Sequence, residues 1–337
     1  MPSDERRVTV LDASGVGPGG ITRMLREVVR HWPTDHDLRI VAAPPGFEAA
    51  TGVVVSHQAG GRAGTIAAAT AVLRRQRSGR ILSLSPSIAV AGARLPVATI
   101  VHDVAFRLWP AGLSRSVRAY RRCSYATALR RSSALLCVSD RTRHDLLGLY
   151  GVAGDRATVW HPGSDLAAPG VGPPLPAEYV LVAGHAPHKG VELAIEAVRA
   201  VPRYTLVVLT GGTRHFRDDS GRTVFLDRLD DAAYAATVAG AAAFLMPSHF
   251  EGFGLPAAEA LALGVPTIVS PDPALHEATA GAAVRMRDWS VGALVEALTR
   301  VEASTGVEAV TRVGKPGPVA VRSWRQATAE LVERLWR

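Results

Sequence analysis

"MPSHFEGFGLPAAEALALGVPTIVS", residues 246–270, holds a strand end, a glycine loop, a helix and the start of a second strand. The strand ends at Met246, and a loop carrying Glu251, Gly252 and Gly254 follows. Pro256 suits the first turn of a helix, where its missing N–H costs nothing. The helix runs to about Leu263, Gly264 closes it, and Pro266 opens the next strand. Strand, helix and strand in such quick succession read as a parallel pair with a helical crossover, the unit of α/β proteins.

The same alternation extends along the whole chain. In the first half, strands are expected at 7–11, 38–42, 80–84, 97–101 and 134–138, with helices at 20–31, 63–77, 113–131 and 140–149 between them. Residues 165–176, "DLAAPGVGPPLP", then carry four prolines and two glycines and read as an extended linker. The pattern restarts beyond it, with strands at 179–183, 204–209, 242–246 and 266–269 and helices at 189–200, 230–240, 256–264 and 290–302. The expected architecture is α/β: two doubly wound Rossmann-like domains facing a central cleft. The boundaries are 1–165, a linker over 166–176, a second domain over 177–322, and a final helix, 323–337, that packs back on the first domain. Ligands of such sheets bind beyond the carboxyl ends of the strands.

Composition narrows the class. The chain has 337 residues, 47% of them hydrophobic and 20% charged, enough to bury two cores. No apolar run approaches the roughly 18 residues of a membrane span. The charged start "MPSDERR" leads straight into a strand and reads as no secretory signal, so a cytoplasmic location is expected. Cys123 and Cys137 stand in no metal or redox spacing and read as two buried thiols. Charge is uneven. Residues 1–167 hold 22 arginines and no lysine against 12 carboxylates, leaving +10, while the rest carries −2 of the total +8. An anionic partner of the first half would fit that excess. Lys189 and Lys315 are the chain's only lysines, against 36 arginines.

The opening segment "VTVLDASGVGPGGITRMLREVVR", residues 8–30, raises a competing reading. Gly15, Gly17 and Gly20 spell the G-x-G-x-x-G of a dinucleotide-binding turn. Two features oppose it. Asp12, Ala13 and Ser14 separate the strand from the first glycine, and the second strand ends "IVAAPPG", without the carboxylate that holds a ribose. A nicotinamide-dependent oxidoreductase therefore stays as an alternative only. What survives is a glycine loop whose backbone can approach a ligand. Asp35-His36-Asp37, a D-x-D, precedes a strand and reads as a surface turn.

Chemistry concentrates in 246–270. Glycines beside a helix N-terminus offer free N–H groups and the positive end of a dipole, which suit a phosphate. Glu251 and Glu259 flank that place, and two carboxylates suit hydroxyls of a sugar and a ribose better than an anion.

This stretch resembles the E-x7-E signature of the retaining glycosyltransferases of family 4, which adopt the GT-B fold; Glu251 and Glu259 are the two glutamates. Other segments resemble the family in order. "AGHAPHKGVELAIEAV" (183–198) looks like its basic "KG" segment and implies Lys189 at the donor diphosphate. Only His185 and His188 stand where the family adds an arginine. "ATIVHDVAF" (98–106) resembles the family's "HD", which implies His102 at the donor sugar, with Asp103 bracing the loop. Residues 134–152 and 157–165 are similar to further family segments, with Pro162–Gly163 in place of Asn-Gly, and Trp324 resembles the tryptophan of the final helix.

The resemblance implies transfer of a sugar from a UDP-, GDP- or dTDP-sugar to an acceptor hydroxyl, with retention of configuration, no metal and no further cofactor. His102, Lys189 and Glu251 are the catalytic candidates. Donor contacts are expected from Gly17, Gly19, Gly20, His185, His188, Lys189, Glu251, Gly252, Phe253, Gly254, Leu255 and Glu259. The resemblance implies that 1–165 is the acceptor-side domain and 177–322 the nucleotide-sugar-binding one; the acceptor is left as a glycan, a lipid-linked or a small natural-product molecule, and no nucleic-acid partner is expected. Six arginines in 113–131 fit either a solvated basic face or contact with anionic lipid at the inner membrane face. A GT-B-shaped protein that binds a nucleotide sugar without turnover is a second alternative.

Overall fold

The computed structural model describes residues 7–17, 19–111, 113–184, 186–212, 216–218, 220–305 and 322–337. The chain divides into two compact units. The first comprises the described residues up to Phe106, Leu113–Gly163 and Arg322–Arg337; the second, those of Arg107–Gly112 and Ser164–Val321.

In the first unit, seven strands form a parallel sheet. They are β1 (Arg7–Asp12), β2 (His36–Ala43), β3 (Val54–His57), β4 (Arg80–Ser83), β5 (Val97–Val101), β6 (Ala134–Cys137) and β7 (Ala157–Val159), in the order β3-β2-β1-β4-β5-β6-β7. The crossovers include α1 (Gly20–Arg30), α2 (Gly61–Arg75), the short α3 (Ala105–Leu108), α4 (Arg115–Arg131) and α5 (Asp140–Tyr150). The chain winds outward from β1 through β2 to β3, then returns to place β4 on the other side of β1. Strand order reverses at β1 and β4, and the crevice beyond their carboxyl ends is where such a sheet receives ligands.

The second unit repeats the scheme with six parallel strands. After β8 (Tyr179–Ala183) come α6 (Val191–Ala200), β9 (Thr205–Leu209), β10 (Thr223–Leu226), α7 (Asp231–Ala239), β11 (Ala243–Met246) and α8 (Leu255–Ala262). Then follow β12 (Thr267–Val269), α9 (Pro273–Ala278), β13 (Val284–Arg285) and α10 (Val291–Thr305). The order is β10-β9-β8-β11-β12-β13, and its switch point lies between β8 and β11. β8 and β11 are buried along their whole length, which is why both read as unbroken apolar runs. The proline-rich segment 165–176 belongs to the second unit and packs on α7 through Gly170 and Gly172. Gly170 N–H donates to the Ala232 carbonyl, and a Cβ on Gly170 would fall 2.9 Å from the Ala232 methyl.

The last helix, α11 (Trp324–Trp336), belongs to the first unit. A capping box between Ser323 and Gln326 starts it. Trp324 is fully buried, the Trp160 indole N–H donates to the Ala327 carbonyl at 2.9 Å, and Arg80 donates to the Leu335 carbonyl at 2.6 Å.

The nine interior strands coincide with the nine expected from the sequence; β3, β7, β10 and β13 were not expected, and all four are sheet edges. An edge strand needs neither length nor two apolar faces: β3 is "VVSH", mostly exposed, and β13 has two residues. One expectation fails outright. Cys137 is buried on β6, whereas Cys123 is exposed on α4, because it faces outward among arginines rather than onto the sheet.

Candidate active site

Gly184 follows β8 directly, and a Cβ there would strike Val208 and Val191 at 2.5 and 2.9 Å. A single helical turn, Pro187–Lys189, then ends at Gly190. Gly190 has φ +67°, and a Cβ there would lie 2.4 Å from the Pro247 carbonyl oxygen. Only glycine lets this turn press so closely on the chain leaving β11. His249 N–H donates to the His188 carbonyl at 2.8 Å and fastens the two loops together.

That contact brings Lys189 beside Glu251. Lys189 Nζ donates to Glu251 Oε1 at 2.7 Å, and the residues are 5% and 8% exposed. Each charge needs the other, since an uncompensated buried ion is costly. Glu251 is positioned from behind: its N–H donates to Asp272 Oδ2 at 3.3 Å, while Asp272 Oδ1 caps α9 by accepting from Ala274 N–H.

Gly254 starts α8 at φ +106°, and a Cβ there would meet Leu275 Cδ2 at 2.4 Å. No side chain caps this helix, so its N-terminal dipole end is not neutralised from within. Glu259, one turn into α8, is almost fully buried, and its Oε2 accepts from the Tyr234 hydroxyl at 2.8 Å. Gly252, Phe253 and Leu255 are part-exposed at the same loop, and His188 is half-buried. His185 lies outside the described residues.

The first unit has its own loop at its own switch point. Asp12 ends β1 buried, accepting from Ser14 N–H at 3.0 Å and from the Ser83 hydroxyl at 2.8 Å; burial nevertheless raises its carboxyl above the usual range. A Cβ on Gly15 would fall 2.3 Å from Ser85 Oγ. Gly17, Gly19 and Gly20 differ, with no described atom within 4 Å of where a Cβ would stand. Gly19, at φ +113°, starts α1, again without a side-chain cap.

His102, just past β5, donates from Nε2 to the Leu84 carbonyl at 2.7 Å. A carbonyl only accepts, so Nε2 carries the proton and Nδ1 keeps its lone pair in the neutral ring. Burial lowers its pKa and favours that neutral form. Asp103 braces the turn, its Oδ1 accepting from Ala105 N–H at 2.8 Å and its carbonyl from the Tyr125 hydroxyl.

The sequence-derived residues thus fall into two groups. Lys189, Glu251, Gly252, Phe253, Gly254, Leu255, Glu259 and His188 gather at the β8/β11 switch point. Gly17, Gly19 and Gly20 belong to the β1/β4 switch point, to which Leu84 ties His102. Sequence reasoning missed Tyr234 and Asp272. Tyr234 had no local signal; Asp272 did, as an N-cap before Pro273. Among the described residues no group of three or more His, Cys, Asp or Glu could hold a metal ion, and no helix is long and apolar enough to cross a membrane.

Comparison with known proteins agrees with this fold. Residues 18–168 match the family model described as Glycosyltransferase Family 4, and residues 177–304 the one described as Glycosyl transferases group 1. Glycogen synthase of Mycobacterium tuberculosis is 33% identical over 190 residues, which are 50% of this chain and 44% of that one. The chain therefore spans less than half the length of that relative. Among solved structures, sucrose-phosphate synthase from Thermosynechococcus elongatus superposes with a TM-score of 0.74 at 18% identity, covering 98% of both chains. Anabaena HepE, solved in complex with UDP and glucose, gives a TM-score of 0.70 at 15% identity, covering 98% of this chain and 100% of that one. With a family model on each half, two parallel sheets and this full-length likeness of fold, the chain belongs to glycosyltransferase family 4.

Proposed function

We propose that the protein transfers a sugar from a nucleoside-diphosphate sugar to an acceptor hydroxyl, with retention of anomeric configuration. The observation that carries this reading is the buried Lys189–Glu251 pair beside the uncapped N-terminus of α8, at the β8/β11 switch point. A diphosphate suits a fixed cation and the positive end of a helix dipole, and a sugar suits a carboxylate; Lys189, the start of α8 and Glu251 meet those needs in one corner. HepE, similar in fold, was solved with UDP and glucose, which suits the same ligand class.

In this reaction the acceptor oxygen bonds to the anomeric carbon as the bond from that carbon to the β-phosphate oxygen breaks. The acceptor proton passes to the leaving diphosphate on the same face, so no separate protein base is required. Lys189 and the α8 N-terminus with Gly252, Phe253, Gly254 and Leu255 stabilise the departing charge. His188, in the same turn as Lys189, adds a donor contact, and His185 stands four residues before Lys189 in sequence. Preorganised donors of this kind are each worth about 3–4 kcal/mol of barrier. Glu251 orients sugar hydroxyls, Glu259 binds the ribose with Tyr234 holding it in place, and His102 accepts from a sugar hydroxyl through Nδ1. Gly17, Gly19 and Gly20 let the backbone approach the phosphates, and no metal takes part.

A thermal-shift panel of UDP, GDP and dTDP, each with and without EDTA, tests the donor reading. At least one nucleotide should raise the midpoint in both conditions, and Lys189→Ala should abolish the shift. No shift with any nucleotide, or one that EDTA removes, overturns it.

The arginines of α4 favour a place at an anionic membrane face. Arg115, Arg118 and Arg122 lie on one side of a helix that contains no Asp or Glu, and the first two stand in the opening turn, where the dipole disfavours cations. Arg62 joins them by stacking on Tyr120, 4.6 Å from the ring centre. Co-sedimentation with phosphatidylglycerol vesicles that vanishes at high salt is expected; equal partition to neutral vesicles would refute it.

A further inference from the structure

Three rings lie parallel in the second unit, and the donor reading uses none of them. The His249 ring lies 5.1 Å from that of Trp109, inclined by 7°, and 6.0 Å from that of Trp289, inclined by 16°. Trp109 sits in the short segment 107–112 that belongs with this unit. The Trp289 indole N–H donates at 3.0 Å to the carbonyl of Ser248, which also accepts from the Ser270 hydroxyl. Trp289 is therefore held at ring edge and ring plane, three residues by contact from Glu251.

Yet Trp289 is 41% exposed, the one aromatic among the large exposed hydrophobics of the described residues. Its hydrogen-bonding group is spent inward, so what it shows to solvent is bare ring. The neighbours are charged: Arg287 and Asp288 stand at 71% and 50% side-chain exposure and pair with each other. A membrane or protein partner would ask for contiguous apolar surface; the other exposed large hydrophobics near the stack in sequence are two single residues, Val291 at 37% and, next to Trp109, Leu108 at 41%. A single aromatic face rimmed by charged hydrogen-bonding groups matches a pyranose, which has an apolar C–H face and an edge of hydroxyls.

We infer that the outward face of Trp289 seats a pyranose ring of a saccharide acceptor, beside the Ser248–Gly254 loop. The role as acceptor rests on the glycosyltransferase reading and adds a contact on the second unit to the acceptor-side domain 1–165 expected from the sequence; the binding of a saccharide does not depend on that reading. The site takes a carbohydrate, so among glycan, lipid-linked and small natural-product acceptors it selects those that present a sugar ring.

A glycan array probed with wild type, Trp289→Ala and Trp289→Phe tests this. Wild type should bind a subset of saccharides, Trp289→Ala should lose at least tenfold of that signal, and Trp289→Phe should keep an intermediate level. The melting midpoint should fall modestly in Trp289→Ala, which loses the stack on His249 and the bond to Ser248, and less in Trp289→Phe; the nucleotide-induced shift should be unchanged in both, which a general disturbance of the neighbouring loop would not allow. A wild-type protein that binds no saccharide, or a Trp289→Ala profile equal to wild type, overturns the inference. Should Trp289→Ala fail to fold, Trp289→Phe decides: several-fold loss is expected, and no loss overturns it. If saccharides bind through Trp289 but no nucleotide shifts the midpoint, the donor reading fails and the platform stands; the reverse result sinks the platform alone.

Discussion

The loop after β1 and the loop after β11 look alike in sequence. Each is rich in glycine, each follows an interior strand at a switch point, and each feeds a helix without a side-chain cap. Their glycines are there for opposite reasons. Around β11 they are jammed: a Cβ on Gly190 or Gly254 would stand 2.4 Å from a neighbour, and both have positive φ. Around β1, Gly17, Gly19 and Gly20 face open space, and only Gly15 is jammed, against Ser85. The second unit's loop is a packed construction whose glycines hold Lys189 and Glu251 in register. The first unit's loop leaves room, which in the proposed reaction the phosphates occupy.

The comparison can be broken most severely at the ion pair. Lys189→Ala or Glu251→Ala leaves one buried charge alone, so each should lose about 3–5 kcal/mol of stability and about 10²–10³ in transfer rate. The double variant Lys189→Met/Glu251→Leu should regain most of the stability and none of the activity. Chemical denaturation and a transfer assay read the two apart; activity in the double variant would show that the pair only packs.

Gly254→Ala should come next. Its backbone costs about 1–3 kcal/mol in that conformation, and its contact with Leu275 adds about 1–3 kcal/mol, visible as a lower melting midpoint. An unchanged midpoint would mean that the loop is not packed as described. The mildest change is Gly20→Ala. With open space at the Cβ and ordinary φ, it should raise stability by about 0.5–1 kcal/mol while raising KM for the donor several-fold. A gain in stability without any effect on the donor would separate the first loop from the phosphates.

The fold was legible wherever burial on both faces wrote itself as a run of β-branched and aliphatic residues. "YVLVA" and "VATIV" could be nothing but interior strands of a parallel sheet. "TVFL" and "ATV" sit at edges, where pairing on one side suffices and composition relaxes. In the candidate site, the residues carrying charge at loop–helix junctions could be named from spacing, since helix geometry ties them to the loop. Tyr234 could not, because its bond to Glu259 joins two helices that only the tertiary fold sets side by side. Nor could Trp289, whose significance lies in a ring plane shared with Trp109 and His249, a relation that no interval in the chain encodes.

The position of α11 has a consequence for how the protein comes into being. Its backbone carbonyls receive the Trp160 indole and the Arg80 guanidinium, groups 167 and 255 residues away in sequence. The first unit is closed by a helix that follows the whole second unit in the chain. During synthesis its sheet must wait, with Trp160 uncovered, while the entire second unit is made. Contacts of such long range are slow to form, so closure of the first unit depends on chain made after the second unit, whereas the second unit draws on no segment beyond Val321.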